Sequence, residues 1–220
     1  MSDHNAASRI LSSEAKLVLA PMGLKQKGRS RIWLDDHGWW VGVVEFQPSS
    51  WSKGSYLNVG CWILWQVKNY ISYDLGRRAE HHKNFENQRQ FRPEATRLAI
   101  HAGQEIEYWR NTLPTVASLA CYFRSQTLPQ NLWPHFNAAI ASGLSGELSL
   151  ASNYFNQIGA PEETDYEWQR AAKLSAARLY EILPDAGVFR NAIADQVRQC
   201  RALNKLPQLT NLNFDGPQSD

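Results

Sequence analysis

Residues Gly23 to Trp65 read GLKQKGRSRIWLDDHGWWVGVVEFQPSSWSKGSYLNVGCWILW, and this stretch decides the fold. Gly23 and Gly28 bracket a basic turn. Ile32, Trp33 and Leu34 then run into Asp35, Asp36, His37 and Gly38, a cluster of turn formers that signals a hairpin. From Trp39 to Gln47 side chains alternate along a strand. Trp40, Val44 and Phe46 share one face, and Trp39, Val41, Val43, Glu45 and Gln47 the other. Both faces are largely apolar, which predicts a central strand. Pro48 to Gly54 cannot continue a ladder and makes a loop, and Tyr56 to Trp65 forms the next strand. Its apolar set, Leu57, Val59, Cys61, Ile63 and Trp65, belongs with Trp40, Val44 and Phe46. Opposed residues of an antiparallel pair point to the same face, so Gln47 should oppose Tyr56 and Glu45 should oppose Asn58. Glu45, Gln47 and Asn58 then cluster on the second face.

Before this stretch, Ile10, Leu11, Ala15, Leu17, Val18 and Leu19 predict a short helix capped by Ser12 and Ser13 and closed by Pro21. After it, Asn69 to Phe91 supports two readings: an edge strand over Tyr70–Leu75, and a polar loop or helix over Gly76–Gln90. Ala95, Leu98, Ala102, Ile106 and Trp109 mark an amphipathic helix beginning near Pro93, in the favoured first-turn position. The rest is helical. Pro114 opens a helix with Val116, Leu119, Ala120 and Phe123; Leu132, Phe136 and Ile140 belong to another, and Leu148, Phe155 and Ile158 to the next, with Gly143 and Gly146 as breaks. Trp168, Ala172, Leu179 and Ile182 form one stripe and Phe189, Ile193, Val197 and Cys200 another, divided at Pro184 and Asp185 and ended by Pro207. The expected fold class is α+β: a small antiparallel sheet packed with helices over residues 1–126, followed by an all-helical extension over residues 127–220.

Order and spacing carry a family resemblance. Gly23, Leu24, Lys25, Lys27, Gly28 and Arg29, the strand end Glu45–Ser49, and then Leu57, Asn58, Val59 and Gly60 resemble the uncharacterised bacterial family catalogued as domain of unknown function 4304, over roughly residues 8–125. The resemblance implies a small α+β domain in which a basic, glycine-bounded turn enters an antiparallel sheet closed on one side by helices. Glu45 stands where an amide would be expected, and the helices after Leu128 exceed the usual small domain. No catalytic residue carries over.

With 220 residues, 43% of them apolar and 20% charged, the chain has an ordinary globular composition, and at this size about 70% of the unfolded surface can be buried. Only Asp215 to Asp220 reads as a loose tail. A net charge of +2 does not by itself imply nucleic acid or an anionic membrane. Cys61, Cys121 and Cys200 are odd in number and far apart, which points to buried thiols in a reducing cytoplasm rather than a disulfide framework. Met1 to Ser8 lacks the basic start and apolar core of a signal peptide, and Val59–Trp65, the longest apolar run, is far below the roughly 20 residues that span a bilayer. A cytoplasmic location with no membrane partner is the expectation.

Several constellations invite chemistry. Lys25, Lys27, Arg29 and Arg31, beside Trp33, could hold a phosphate or an acidic partner, or form a solvated turn. Glu45, Gln47 and Asn58 offer a polar platform on a rigid sheet, or a satisfied internal network. A single carboxylate among amides makes no acid–base pair. Asp35, Glu45 and Lys53 imitate a metal nuclease only loosely, because the lysine sits in a loop. Adjacent His81 and His82 diverge on regular structure, and His101 with Glu105 lacks a third ligand. Arg77, Arg78, Lys83, Arg89 and Arg92, interleaved with Tyr73, Phe85 and Phe91, mix phosphate-binding and base-stacking side chains, diluted by Glu80 and Glu86.

Nine tryptophans exceed the usual number for this size, and Trp39, Trp51 and Trp62 on the second sheet face or its loop would mark a protein contact if exposed. Nucleophile elbows, phosphate loops and metal clusters are absent, and no motif calls for a cofactor. The function expected is a non-enzymatic protein-interaction module. Its binding residues would be Lys25, Lys27, Arg29, Trp39, Glu45, Gln47, Asn58 and Trp62, with the helical extension assisting and another protein as partner. The alternative is a nucleic-acid-associated or hydrolytic protein using the basic turns around Lys25–Arg31 and Arg77–Arg92.

Overall fold

The computed structural model describes residues 3–163 and 165–216, and it is α+β. The last four positions of the expected tail lie outside the described residues. Two compact units form: a sheet unit of Met1–Trp62 and Ile71–Asn111, and a helical unit of Ile63–Tyr70 and Thr112–Asp220.

In the sheet unit, β1 (Lys25–Gln26), β2 (Ile32–Asp36), β3 (Trp40–Gln47), β4 (Gly54–Ile63) and β5 (Leu75–Asn84) form an antiparallel meander in sequence order. The β2–β3 hairpin turns at His37 and Gly38, where Gly38 takes a φ of 81°, a region that costs glycine nothing. Asp35 pairs with Gly42 and Ile32 with Glu45 in its register. β3 is central, as its two apolar faces require.

β5 corrects the sequence reading, which had expected a strand ending at Leu75 and a loop or helix beyond it. The ladder starts at Leu75 and runs to Asn84, through LGRRAEHHKN, a run with no apolar alternation and no buried residue. An edge strand needs only one hydrogen-bonded neighbour, and charge along its rim discourages further pairing, so the usual strand pattern is missing.

Two helices complete this unit. α1 (Asp3–Leu19) starts well before the expected caps, so Ser12 and Ser13 lie inside it. α2 (Gln88–Thr112) also starts early and encloses Pro93. Its true start is capped by Asn87, whose Oδ1 accepts from the Gln90 N–H at 3.0 Å. α2 lies on the sheet face that carries Gly42: a Cβ at Gly42 would come within 2.9 Å of Ile106 Cδ1, so the missing side chain sets how closely helix and sheet approach.

The helical unit contains α3 (Val116–Arg124), α4 (Leu132–Leu144), α5 (Leu148–Ile158), α6 (Glu167–Ile182) and α7 (Ala186–Leu203). α4 is its axis. It packs against α3, α5, α6 and α7 and is buried continuously from His135 to Gly143. A helix surrounded in this way must be apolar or small on every side, and Phe136, Ala138, Ala139, Ile140 and Ala141 meet that demand. On α6 the expected core stripe is corrected at Trp168, which is exposed, whereas Ala172, Ala176 and Leu179 are buried. Cys61 and Cys200 are buried as expected, but Cys121 is exposed. Among the described residues no helix is long and apolar enough to cross a membrane.

Candidate functional site

The basic turn holds its backbone tightly. Lys27 N–H donates to Ile32 O at 2.9 Å, Ser30 N–H to Lys27 O at 3.0 Å, and Gln26 Nε2 to Ser30 O at 2.7 Å. Lys25, Lys27 and Arg29 project into solvent from it. Arg31 turns away toward Gly54 O at 3.4 Å, and Trp33 is buried. The run is therefore not gathered around a cleft.

Glu45, Gln47 and Asn58 do come together on one face. Asn58 Nδ2 donates to Glu45 Oε2 at 3.0 Å and to Gln47 Oε1 at 2.9 Å. Two residues that the sequence reading had placed elsewhere complete the group. Arg78 Nη2 donates to Gln47 Oε1 at 3.1 Å while its guanidinium lies 4.1 Å from the centre of the Tyr56 ring, and Tyr73 OH donates to Glu45 Oε2 at 3.3 Å. Partial burial and then the neighbouring Glu45 carboxylate push the Tyr73 phenol up, which keeps it a donor. Each polar side chain is answered by another, so this is a satisfied network rather than a set of groups held ready for a substrate.

The aromatic half of the expected surface does not form there. Trp39 and Trp62 are 1% and 0% exposed, so both are core residues, and their expected contact role is corrected. Trp51, at 95% exposed, stands in the β3–β4 loop. The second basic region is dispersed among acids: Arg77 faces Glu105 at 3.7 Å, Lys83 faces Glu80 at 3.3 Å, and Arg92 pairs with Glu14. Phe85 and Phe91, needed as stacking platforms, are buried against each other with ring centres 5.3 Å apart.

The nuclease-like set is separated by the pleat. Asp35 shares the face of its partner Gly42, whereas Glu45 lies on the opposite face. Asp35 is instead clamped by Arg110, with Nε at 2.9 Å and Nη2 at 2.7 Å, and by His37 Nε2 at 2.6 Å. Burial pushes the Asp35 carboxyl up, but the hydrogen bonds and charges of Arg110 and His37 outweigh that and hold it below its usual range. His101 sits between Glu80 at 3.4 Å and Glu105 at 3.5 Å. Among the described residues no group of three or more His, Cys, Asp and Glu could hold a metal.

A cavity of about 300 Å³ in the sheet unit lies between α1 and the start of α2, lined by Arg9, Ser13 and Arg92, and in the helical unit two cavities of about 640 and 510 Å³ share Trp133 and Trp168 as lining residues. Both volumes are in the range of ordinary ligand sites, roughly 300–1,000 Å³. The two indoles stack with centres 5.9 Å apart and planes 14° from parallel, and Trp168 is 51% exposed. Lys68 Nζ stands 4.4 Å from the Trp133 ring centre, a cation–π contact.

The smaller cavity is walled by Trp65, Phe136 and Ala172 and by the amides of Gln66 and Gln196. The orientation of Gln66 is forced. Trp65 Nε1 can only donate, and it reaches Asn137 at 3.0 Å, so that Asn137 atom is its Oδ1. Gln66 meets the same oxygen at 2.8 Å and must do so through Nε2. Its Oε1 then points elsewhere, buried and without a hydrogen-bond partner, as is Gln196 Oε1. In the larger cavity His135 Nδ1 is likewise without a partner, and burial holds that imidazole below its usual range, hence neutral near pH 7.

Trp168 was the one sequence signal for this site, since a tryptophan among Glu167, Gln169 and Arg170 at a helix start is poorly placed for a core. Compared with known proteins, the chain matches no protein-family model, no curated protein and no solved structure.

Proposed function

We propose that this protein is a non-enzymatic binding module that recognises a polypeptide segment, and that it does so on the helical unit. The observation that carries this reading is the Trp133–Trp168 stack, in which Trp168 is half exposed and which is common to two cavities. Rigid aromatic rings supply contact area at little entropic cost and dominate interface hot spots. Two cavities flanking one ridge suit an extended occupant, with side chains seated on either side, better than a single compact molecule. In the sheet unit the titratable groups are engaged with one another, as in the Asn58 network and the Asp35 clamp, and this favours binding over catalysis.

Selection of peptides from a displayed random library tests the reading. Enriched peptides should bind the full chain with micromolar affinity, bind Trp51→Ala equally well, and lose about tenfold or more on Trp168→Ala, as expected of a hot spot. Absence of enrichment, or enriched peptides indifferent to Trp168, would overturn it.

A further inference from the structure

We infer that the segment this groove takes is proline-rich, uncharged and wound as a polyproline II helix, with proline rings packed on Trp168 and main-chain carbonyls accepting from Gln169 Nε2. The inference rests on the groove being a peptide site and names the chemistry of its occupant. It starts from the open wall of the larger of the two cavities that share Trp168. Tyr166 N–H can only donate, and it meets Gln169 at 2.9 Å, so that Gln169 atom is Oε1 and Nε2 is the end left over. Gln169 is half-buried on the cavity wall, and its Nε2 has no partner among the described residues. Beside it stands Trp168, 51% exposed, whose indole N–H is also a donor and nothing else. Gln130, Asn131 and Gln157 add exposed amides whose side chains make no hydrogen bond among the described residues. A ligand meets these side chains without any movement of the rim.

The same wall carries no free charge. Lys173 is held by Asp165 at 3.0 Å, His135 is neutral, and among the described residues the lining has neither an arginine nor a carboxylate. An acidic or phosphorylated segment, which clustered arginines recognise, is therefore a poor occupant, and so is a basic one. Both cavities are lined by helices and loops, so no strand edge is on offer to an added strand. A helical segment bonds its own carbonyls and would leave the donors of Gln169 and Trp168 unmatched by its main chain. An ordinary extended segment brings an N–H with every carbonyl, and each N–H needs an acceptor that these two donors cannot supply. Proline brings the carbonyl without the N–H, and a compact apolar ring for the indole face. The polyproline II helix leaves its carbonyls unbonded and forms before binding, so little order has to be imposed. At about three residues per turn, prolines three apart lie on one face.

The test uses the full chain and the peptides that it enriches from the displayed random library, synthesised with fluorescein and read by anisotropy. They should be uncharged through the binding stretch and carry prolines three apart. Replacing those prolines by alanine should weaken binding to the wild-type protein about tenfold or more, through lost ring contact and lost preorganisation. Gln169→Glu keeps an oxygen for the Tyr166 N–H and removes the donor; it should weaken the proline peptides about fivefold with thermal unfolding unchanged. If that variant does not fold, the proline-to-alanine ratio on the wild type decides alone. Enriched peptides that lack proline, that bind equally well with alanine in its place, or that ignore Gln169→Glu overturn the inference and leave the groove reading standing. Absence of any enrichment overturns both.

Discussion

Replacing Asp35 by Asn isolates the clamp that ties the β2–β3 hairpin to α2. The carboxylate is buried and receives two hydrogen bonds from the Arg110 guanidinium, at 2.9 and 2.7 Å, and one from His37 at 2.6 Å. Hydrogen bonds to charged groups contribute about 1.5–3 kcal/mol each, and removing one member of a buried pair strands the other, at about 3–5 kcal/mol. Asn can still accept once, and Arg110 keeps Met22 O at 2.7 Å and Glu107 at 2.7 Å, which together set the expected loss near 3 kcal/mol. With a urea slope of about 2 kcal/mol per M, the midpoint should fall by about 1.5 M.

The pH dependence has a defined sign. A carboxyl held below its usual range in the folded state contributes stability that is complete above its unfolded pKa, about 3.9, and lost as pH falls through the folded value. The gap between wild type and Asp35→Asn should therefore be full at pH 6, narrow below about pH 4, and close in stronger acid. The assay is urea unfolding at several pH values, with hydrogen exchange across residues 32–47 and 105–112 to localise the change. A gap below about 0.5 kcal/mol at pH 6, or one that widens in acid, would refute the reasoning. The double replacement Asp35→Leu with Arg110→Met should cost less than the two single changes summed, because neither charge is then left alone.

Two further outcomes follow from contacts already described. Gly42→Ala should destabilise the protein by about 1–3 kcal/mol in the same assay, since the new methyl would meet Ile106 Cδ1 at 2.9 Å, and Ile106→Val should recover part of the loss. A thiol-specific reagent should modify Cys121 rapidly in the native protein and reach Cys61 and Cys200 only on unfolding, as mass spectrometry of the labelled peptides would show; burial also pushes the Cys61 thiol well up, away from the reactive thiolate.

The hairpin was legible because two kinds of signal agreed: period-two alternation from Trp39 to Gln47, and turn chemistry at Asp35–Gly38. The clustering of Glu45, Gln47 and Asn58 followed from the pleat alone. β5 was not legible, because an edge strand with charge on both faces carries no alternation to read. Pro93 reads as a first-turn residue, which puts the start of α2 too late; the Asn87 cap fixes it earlier. Trp39 and Trp62 read as surface residues because alternation reports which residues share a face, and says nothing of what lies over that face. The groove was invisible for a related reason: Gln66, Trp133 and Trp168 are distant in sequence, and only the packing of α4 and α6 with the segment after β4 brings them together. Even the unclaimed oxygen of Gln66 depends on a neighbour, Asn137, far along the chain.

The margins of the meander have a consequence for the molecule in crowded solution. An open sheet ends in two rows of backbone donors and acceptors, each a template onto which a foreign strand can zip. Here one margin is β1, only two residues long, and the other is β5, studded with Arg77, Arg78 and Lys83. Swapping those three cations for threonine would leave the hydrogen-bonding rim intact while removing its electrostatic guard. The protein so altered should drift toward filaments at concentrations where the parent stays dispersed.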